Sequence, residues 1–448
     1  DCSDHEVNLK ILLQGVMDNG ELTEKQRNEL LKDYTDEISD IVLGHNFAQT
    51  ECLSLAQRQV DKRAGEYRKF IGYLEKHGGL NRALEFLPDD QALGKRYERG
   101  GVLTRPELAV LLSYAKVMLK ENLSKTDLIE DETLRDVAYR AFPQRAGERF
   151  SKEVKEHRLL KEVVSTQLAN DFINNLGITA AYRFLSSSNV RLEDVFRAYV
   201  IAREVFDLNA FNDYIASLCN TVPEETLYTL KANMVRRVRR GVRWFLRNAD
   251  KEGSTQEHID HLKPLLAEIA GSIEIALVGE LKDTWTQHFD DYIALGINHH
   301  WSTILAMPDN LFAGLGVASI QKWTSKATPL CSRVFYGLHN HLRIRDFAGA
   351  VSEMPVHSPW QAISRETLLE DIEIQLRAMV STIVYRVNSE EAIMPQLERL
   401  LPQEDVEKWW LWLEGLEQET DQPDISLFHV SLRQLVGLSE VVVASLSE

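Results

Sequence analysis

Helical periodicity runs through this sequence from end to end, and the alternation typical of strands is hard to find. Apolar residues recur at intervals of three and four along five long segments, residues 53–74, 150–176, 227–246, 368–387 and 427–446. Such segments predict amphipathic helices that bury one face against each other. Because no period of about 33 to 47 residues repeats, a regular solenoid is not expected. The predicted fold class is all-α, a multi-helix domain with two or three packed lobes.

Polar residues and prolines mark where several of these helices should begin. Ser3–Glu6, Thr23–Gln26 and Thr104–Glu107 each match a capping box, in which a hydroxyl accepts from an early backbone N–H group. Pro106 and Pro223 fall where a first helical turn tolerates a missing donor. No low-complexity linker separates these helices. Weak seams are expected only near residues 143–147 and 308–316.

The charge balance and the cysteine pattern exclude several classes of protein. The chain carries 51 Lys and Arg against 68 Asp and Glu, a net charge of −17 at pH 7 that repels nucleic acid. No run reaches the roughly 18 uninterrupted apolar residues of a membrane span, so no membrane partner is expected. The 4 cysteines are widely spaced and form no CxxC pair. That usage predicts reduced thiols and a cytoplasmic location.

No cofactor loop or metal motif stands out in the sequence. Gly314-Leu315-Gly316 has two glycines of a dinucleotide loop but no strand before it, so a turn that ends a helix is the favoured interpretation. His258 and His261 are spaced to share a cation on one helix face, yet a solvated polar face is favoured there. No metal site and no catalytic residue is predicted from spacing.

An arginine-rich helix is the most unusual local feature of the chain. Arg236, Arg240, Arg243 and Arg247 fall on one face of the predicted helix. The opposite face is apolar and consists of Val235, Val238, Val242 and Phe245. A ridge of guanidinium groups can hold a carboxylate or phosphate bidentately, which predicts an anion or effector site. The alternative is that these arginines pair with acidic groups of the protein or across a subunit interface.

Three tryptophans lie close together near the carboxyl end of the chain. Trp409, Trp410 and Trp412 are interleaved with leucines and flanked by acidic residues. Aromatic residues at this spacing are typical of core or interface anchors. The acidic surroundings argue against a platform for nucleic-acid bases.

Four segments resemble the large bacterial NAD-specific glutamate dehydrogenases. Residues 1–13, DCSDHEVNLKILL, resemble a stretch at the carboxyl end of the catalytic region of that family. Residues 103–116, LTRPELAVLLSYAK, look like a second signature. Residues 194–206 and 359–362 are similar to further family segments. The resemblance therefore spans nearly the whole chain.

The resemblance implies a parent enzyme that converts L-glutamate, NAD and water to 2-oxoglutarate, ammonia and NADH. Its dinucleotide glycines and its glycine-rich lysine motif would both lie upstream of Asp1, so NAD would bind mainly outside this chain. Residues 1–15 would end the catalytic region, and residues 16–448 would form a C-terminal helical domain for assembly and regulation. The implied partners are the upstream catalytic domain of the same polypeptide and further copies in a homo-oligomer. This piece alone is expected to be inactive.

One residue carries a role implied by the resemblance. In smaller glutamate dehydrogenases an S-x-x-E helix start places its serine against the side-chain carboxylate of the substrate, and Ser3–Glu6 matches that pattern. Ser3 is therefore a candidate substrate-binding residue, although a purely capping role is compatible with the same sequence. A different hypothesis remains open, namely a stand-alone helical protein-binding scaffold without enzyme activity.

Overall fold

The computed structural model describes residues 2–187, 190–248, 253–307, 314–355, 359–418 and 425–447. These residues form 24 α-helices and three short 3-10 helices, and no strand occurs among them. The prediction of an all-α, multi-helix chain is confirmed.

The chain divides into two units that we describe separately. Unit 1 consists of Asp1–Arg203 and Val242–His258, and unit 2 consists of Glu204–Gly241 and Ile259–Glu448. The domain boundary after residue 15 and the seam near residues 143–147 stay predictions. Most of the other predicted seam, at residues 308–313, lies outside the described residues.

The first twelve helices supply most of unit 1. They are α1 (Cys2–Asp18), α2 (Glu24–Asp33), α3 (Thr35–Gln59), α4 (Ala64–His77), α5 (Asp90–Glu98), α6 (Arg105–Leu123), α7 (Glu132–Arg135), α8 (Gln144–Arg149), α9 (Ser151–Lys155), α10 (Leu160–Leu176), α11 (Ala180–Ser187) and α12 (Leu192–Val205). The 3-10 helices are Asp61–Arg63, Leu128–Glu130 and Asp136–Ala141.

The other twelve helices supply most of unit 2. They are α13 (Leu208–Ser217), α14 (Glu224–Asn248), α15 (Thr255–Ala276), α16 (Gly279–Ala294), α17 (His299–Ala306), α18 (Leu315–Thr324), α19 (Thr328–His341), α20 (Ile344–Glu353), α21 (Pro359–Ile383), α22 (Ile393–Leu400), α23 (Gln403–Gln418) and α24 (Ile425–Ser447).

Two of the predicted helix starts have the expected geometry. Thr23 precedes α2, and its hydroxyl accepts from the backbone N–H of Gln26. The side-chain carbonyl of Gln26 accepts in return from the backbone N–H of Thr23 at 2.9 Å. Thr104 precedes α6, and Glu107 accepts from the Thr104 N–H at 2.7 Å. Both capping boxes therefore satisfy backbone donors that a helix end leaves without a partner.

Two of the predicted helical segments are interrupted. The segment 53–74 breaks where α3 ends at Gln59 and the backbone tightens into the 3-10 helix Asp61–Arg63. The segment 150–176 breaks at His157, whose ring Nδ1 accepts from the backbone N–H of Leu159 at 3.1 Å. The same ring donates through Nε2 to the carbonyl of Asn8 at 3.1 Å. His157 thereby starts α10 and ties it to α1, which a continuous helix could not do.

Each unit has its own apolar core. In unit 1, α10 packs against α6 and α3, and Phe172, Ile173 and Leu176 are fully buried. In unit 2, α21 packs against α18, α19, α20 and α24. Trp409 is buried there and donates to the carbonyl of Leu342 at 2.7 Å, which confirms its prediction as a core anchor.

Helix α24 shows a limit of the sequence search for apolar runs. Its stretch Ile425–Leu446 is 22 residues long and apolar enough, by length and composition only, to cross a membrane. This stretch is not an uninterrupted apolar run, because Arg433 lies within it. In unit 2 this helix packs against α21, with Phe428 and Leu435 buried. Of the apolar window in this helix 39% is buried, and the lack of a membrane partner stays a prediction.

Candidate functional site

The arginine-rich sequence lies on α14 with the predicted facing. Its apolar side is buried, and consists of Val235, Val238, Val242 and Phe245. Arg237 is buried as well, and it donates to the carbonyls of Ile304 at 2.7 Å and Met307 at 3.2 Å. These carbonyls stand at the end of α17, so Arg237 satisfies acceptors that the helix leaves without partners.

The four arginines of the predicted anion site have different surroundings. In unit 2, Arg236 is exposed and donates to Asn233 at 2.8 Å, and Arg240 lines a small cavity. In unit 1, the guanidinium of Arg243 lies 5.9 Å from the ring centre of Phe184, and Arg247 is exposed. Each of the four makes further interactions within the protein. Their role in binding an anion stays a prediction.

The cavity beside Arg240 lies at the start of α18. Its volume is about 40 Å³, which holds only a few water molecules. Gly314 precedes α18 with φ +88, and a Cβ atom built on Gly316 would lie 2.8 Å from Oε1 of Glu373. Gly316 thus admits a buried carboxylate to the positive end of a helix, whereas Gly314 lies against the side chains of Leu266 and Ile269. The prediction that this turn ends a helix is wrong, since it begins one.

A larger cavity in unit 2 has the size of a small-molecule site. It measures about 450 Å³, within the usual range of roughly 300–1,000 Å³. Its apolar lining comes from α14 to α17, and includes Met234, Leu266, Ile273, Trp285 and Ile304. Charged and imidazole groups line the same cavity, namely Asp207, Arg237, Lys263, Glu274, His299 and His300. Lys263 pairs with Asp207 at 2.7 Å, and Asp207 holds a left-handed backbone with φ 50.

A buried polar stripe follows one face of α19. Ser332, Tyr336 and His339 are spaced by four and three residues and are almost fully buried. Ser332 Oγ, Tyr336 OH and His339 Nδ1 have no hydrogen-bond partner among the described residues. Burial lowers the pKa of His339 to about 3 and raises the pKa of Tyr336. His339 lines the small cavity that Arg240 also lines.

A buried ionic network occupies the core of unit 1. The carboxylate of Asp171, on α10, pairs with Arg203 at 2.6 Å and with Arg140 at 3.3 Å. Tyr199 donates to it at 3.0 Å, and Asn175 donates to it at 2.9 Å. Burial alone would raise the pKa of Asp171, but the two guanidinium groups hold it below its usual value.

A second group of titratable side chains in unit 1 fixes α1. His5 donates through Nδ1 to the carbonyl of Ala141 at 2.8 Å, and its Nε2 lies 3.3 Å from Nδ1 of His45. Burial, together with the charges of His5 and Lys116, lowers the pKa of His45 to about 4. Burial also lowers the pKa of Lys116 to about 8. The side chain of Ser3, the candidate substrate-binding residue on α1, lies outside the described residues.

Within the described residues, no group of three or more His, Cys, Asp or Glu side chains is placed to hold a metal ion. His258 and His261 each have interaction partners within the protein.

Comparison with known protein families gives the decisive observation. The family described as glutamate dehydrogenase, C-terminal, matches residues 100–437, which is more than half of the chain. The family described as bacterial NAD-glutamate dehydrogenase, catalytic domain, matches residues 1–56. The chain belongs to the bacterial NAD-specific glutamate dehydrogenase family. The resemblance inferred from the sequence motifs is confirmed.

Individual members of the NAD-specific glutamate dehydrogenase family agree with this assignment. Proteins of that name from Halomonas elongata and Pseudomonas aeruginosa are 36% and 35% identical, each over 98% of this chain and 27% of their own length. The protein of that name from Mycobacterium tuberculosis is 27% identical over 85% of this chain and 23% of its own length. The chain therefore spans about a quarter of the length of the curated relatives it matches.

The sequence analysis of this glutamate dehydrogenase family chain missed the residues that the structure brings together. Residues from different helices come together in three places. These are the Asp171 network, the His5 and His45 pair and the lining of the larger cavity. Residues that contact each other in these places can be far apart in sequence; His5 and Ala141, for example, are separated by 136 positions. A charged residue within a predicted apolar core face, such as Arg203 on α12, is the local signal that could have indicated such a network.

Proposed function

We propose that this chain is the carboxy-terminal part of an NAD-specific glutamate dehydrogenase that oxidises L-glutamate to 2-oxoglutarate and ammonia. The observation that carries the proposal is the order of the two family matches, with a match to a catalytic domain over residues 1–56 and a match to the C-terminal region over residues 100–437. NAD would bind mainly to the catalytic region that precedes these residues. Ser3 would meet the substrate carboxylate from the start of α1.

The helical part would serve assembly and regulation of that enzyme in the cytoplasm. Two helical units with separate cores can form subunit contacts in a homo-oligomer and transmit a binding event to an adjacent catalytic domain. The cavity of about 450 Å³ in unit 2 supports a regulatory role because it combines an apolar floor with charged groups at its rim.

The enzymatic proposal is tested with the complete gene product. We expect glutamate-dependent reduction of NAD, followed by the absorbance of NADH, from the complete polypeptide and none from residues 1–448 alone. A complete polypeptide that folds but gives no glutamate-dependent NADH would contradict the proposal. A start codon directly before Asp1 would instead favour the stand-alone binding scaffold.

The anion site on α14 is tested by calorimetry. Inorganic phosphate and succinate serve as probes, and the variants are Arg240→Glu and Arg243→Glu in the complete polypeptide. We expect weaker binding heats in these variants than in the Arg399→Glu control, which reverses an exposed arginine paired with Glu391 at 3.1 Å. Identical heats in all three variants and the wild type would remove the anion site.

A further inference from the structure

Two consecutive helices of unit 1 bury almost nothing within the described residues. Helix α2 has no buried residue, and α3 buries only Cys52 and Ala56 near its carboxyl end. By contrast, α10 buries nine of its 17 residues. We call residues 24–51 the arm. Because helices in proteins gain most of their stability from packing an apolar face, the arm gains less stability from apolar burial than α10 does.

The arm is nevertheless apolar on one side. Leu43 and Phe47 are four residues apart on α3, so they share a face of the helix. Leu43 is 65% exposed and Phe47 is 53% exposed. A leucine and a phenylalanine exposed side by side on a regular helix indicate a surface that another structure covers.

The base of the arm is firmly placed. Tyr34, between α2 and α3, is buried, and the guanidinium of Arg145 lies 5.2 Å from its ring centre. Arg145 also donates to the carbonyl of Asp33 at 3.0 Å. The His5 and His45 contact ties the middle of α3 to α1. The exposed face of Leu43 and Phe47 therefore has a fixed position and is ready to receive a partner.

The comparisons indicate which partner this is. The catalytic-domain family covers residues 1–56 and so includes the whole arm, and the relatives are about four times as long as this chain. We propose that the face of Leu43 and Phe47 docks against the dehydrogenase catalytic domain of the same polypeptide, an inference that rests on the proposed function. The arm, which lies before the match to the C-terminal family, then extends the packing of the catalytic domain.

Matched cysteine variants of the complete polypeptide test this docking. Leu84 and Phe86 are also exposed in unit 1, at 69% and 90%, but lie outside both family matches. Leu43→Cys and Leu84→Cys, each with Cys219→Ser, are labelled with a maleimide under native conditions and mapped by peptide mass spectrometry. We expect Leu43→Cys to react about tenfold more slowly than Leu84→Cys, because thiol reactivity follows access. Equal rates would overturn the proposal.

A photocross-linking residue at position 47, with position 86 as control, identifies what covers the arm. Isotopically light and heavy chains are mixed so that cross-links within and between copies are distinguished. Cross-links from position 47 to the catalytic region of the same copy support the proposal, and cross-links to any part of another copy overturn it. The glutamate-dependent activity of the same preparation is measured in parallel. An active enzyme with an accessible position 43 refutes only the docking, whereas an inactive wild-type polypeptide refutes the proposed function.

Discussion

A buried polar network in unit 1 and a buried polar stripe in unit 2 differ in how their members are partnered. In unit 1, Asp171 is surrounded by Arg203, Arg140, Tyr199 and Asn175, each within hydrogen-bond or ion-pair distance. In unit 2, three polar side chains on one face of α19 lack such partners among the described residues. A satisfied network fixes a core in one arrangement, whereas an unsatisfied donor or acceptor costs about 1–3 kcal/mol.

This difference suggests that the two cores were shaped by different requirements. The Asp171 network links α10, α12 and a 3-10 helix through a single carboxylate, so it specifies how these elements pack. Ser332 Oγ, Tyr336 OH and His339 Nδ1 of the stripe on α19 form no hydrogen bond within the described part of the chain, and His339 borders a cavity with room for water. We therefore expect substitutions in the Asp171 network to lower the stability of unit 1. Substitutions that remove an unpartnered group of the α19 stripe should leave the stability of unit 2 unchanged or raise it.

The largest effect is expected for Asp171→Ala in unit 1. Removal of the carboxylate breaks the ion pair that buried Arg203 makes at 2.6 Å, and breaking a buried pair typically costs about 3–5 kcal/mol. Hydrogen exchange of peptides from α10 and α12, measured against urea, gives the loss in stability. The control is Arg68→Ala, which removes an exposed pair with Asp90 and should cost less than about 1 kcal/mol. Similar losses in both variants would show that the network does not stabilise the core.

The acid sensitivity of unit 2 is expected to depend on His339. Its folded pKa of about 3 lies below the unfolded value of 6.5, so the unfolded chain binds the proton first and stability falls as the pH drops from 6.5 towards 3. His339→Leu should reduce the loss between pH 6.5 and pH 4 by about 2–3 kcal/mol. Urea denaturation followed by tryptophan fluorescence measures the stability of unit 2 at each pH, since all tryptophans of this sequence except Trp244 belong to unit 2. Parallel curves for variant and wild type would contradict this role.

The same substitution should have opposite signs in the two units. Tyr199→Phe removes a hydroxyl that donates to Asp171 and should destabilise unit 1 by about 1–2 kcal/mol. Tyr336→Phe removes a buried hydroxyl that has no partner among the described residues, and should leave unit 2 unchanged or stabilise it by up to about 1 kcal/mol. Urea denaturation with a probe in each unit measures both. A destabilising Tyr336→Phe would point to a hydrogen bond at that hydroxyl.

The smallest effect concerns Lys116, a buried amine of unit 1 without a hydrogen-bond partner among the described residues. Its pKa of about 8 lies below the ordinary 10.5, so the charged form is disfavoured in the folded protein and stability rises with pH between these values. Lys116→Met should stabilise unit 1 by about 1 kcal/mol at pH 7 and by less above pH 8. Lys120→Met, on the exposed side of the same helix, should change stability by less than about 0.5 kcal/mol.

Local features of the fold could be predicted from the sequence because their partners are near. Thr23 and Thr104 cap their helices through residues three positions away, and the apolar face of α14 follows from its period. The turn at Gly314 shows where such reasoning stops. A glycine with positive φ serves at either end of a helix, and here the side chains that approach Gly314, Leu266 and Ile269, belong to a distant helix. The Asp171 network could not be predicted from the sequence for the same reason, because its members meet only after α10 and α12 have packed.

The anchoring of α1 sets an order of events during synthesis. The carbonyl of Asn8 accepts a hydrogen bond from His157, which lies 149 positions later in the chain. The hydrogen bond that His5 donates to the carbonyl of Ala141 likewise needs a residue that is made much later. At about 5–20 residues per second, a ribosome takes on the order of 7–30 s to cover that interval. During this time α1 can contact α2 and α3, which follow it directly, but lacks its hydrogen bonds to the later part of unit 1. A messenger truncated before the codon for His157 would therefore yield a polypeptide whose α1 lacks the hydrogen bond at Asn8.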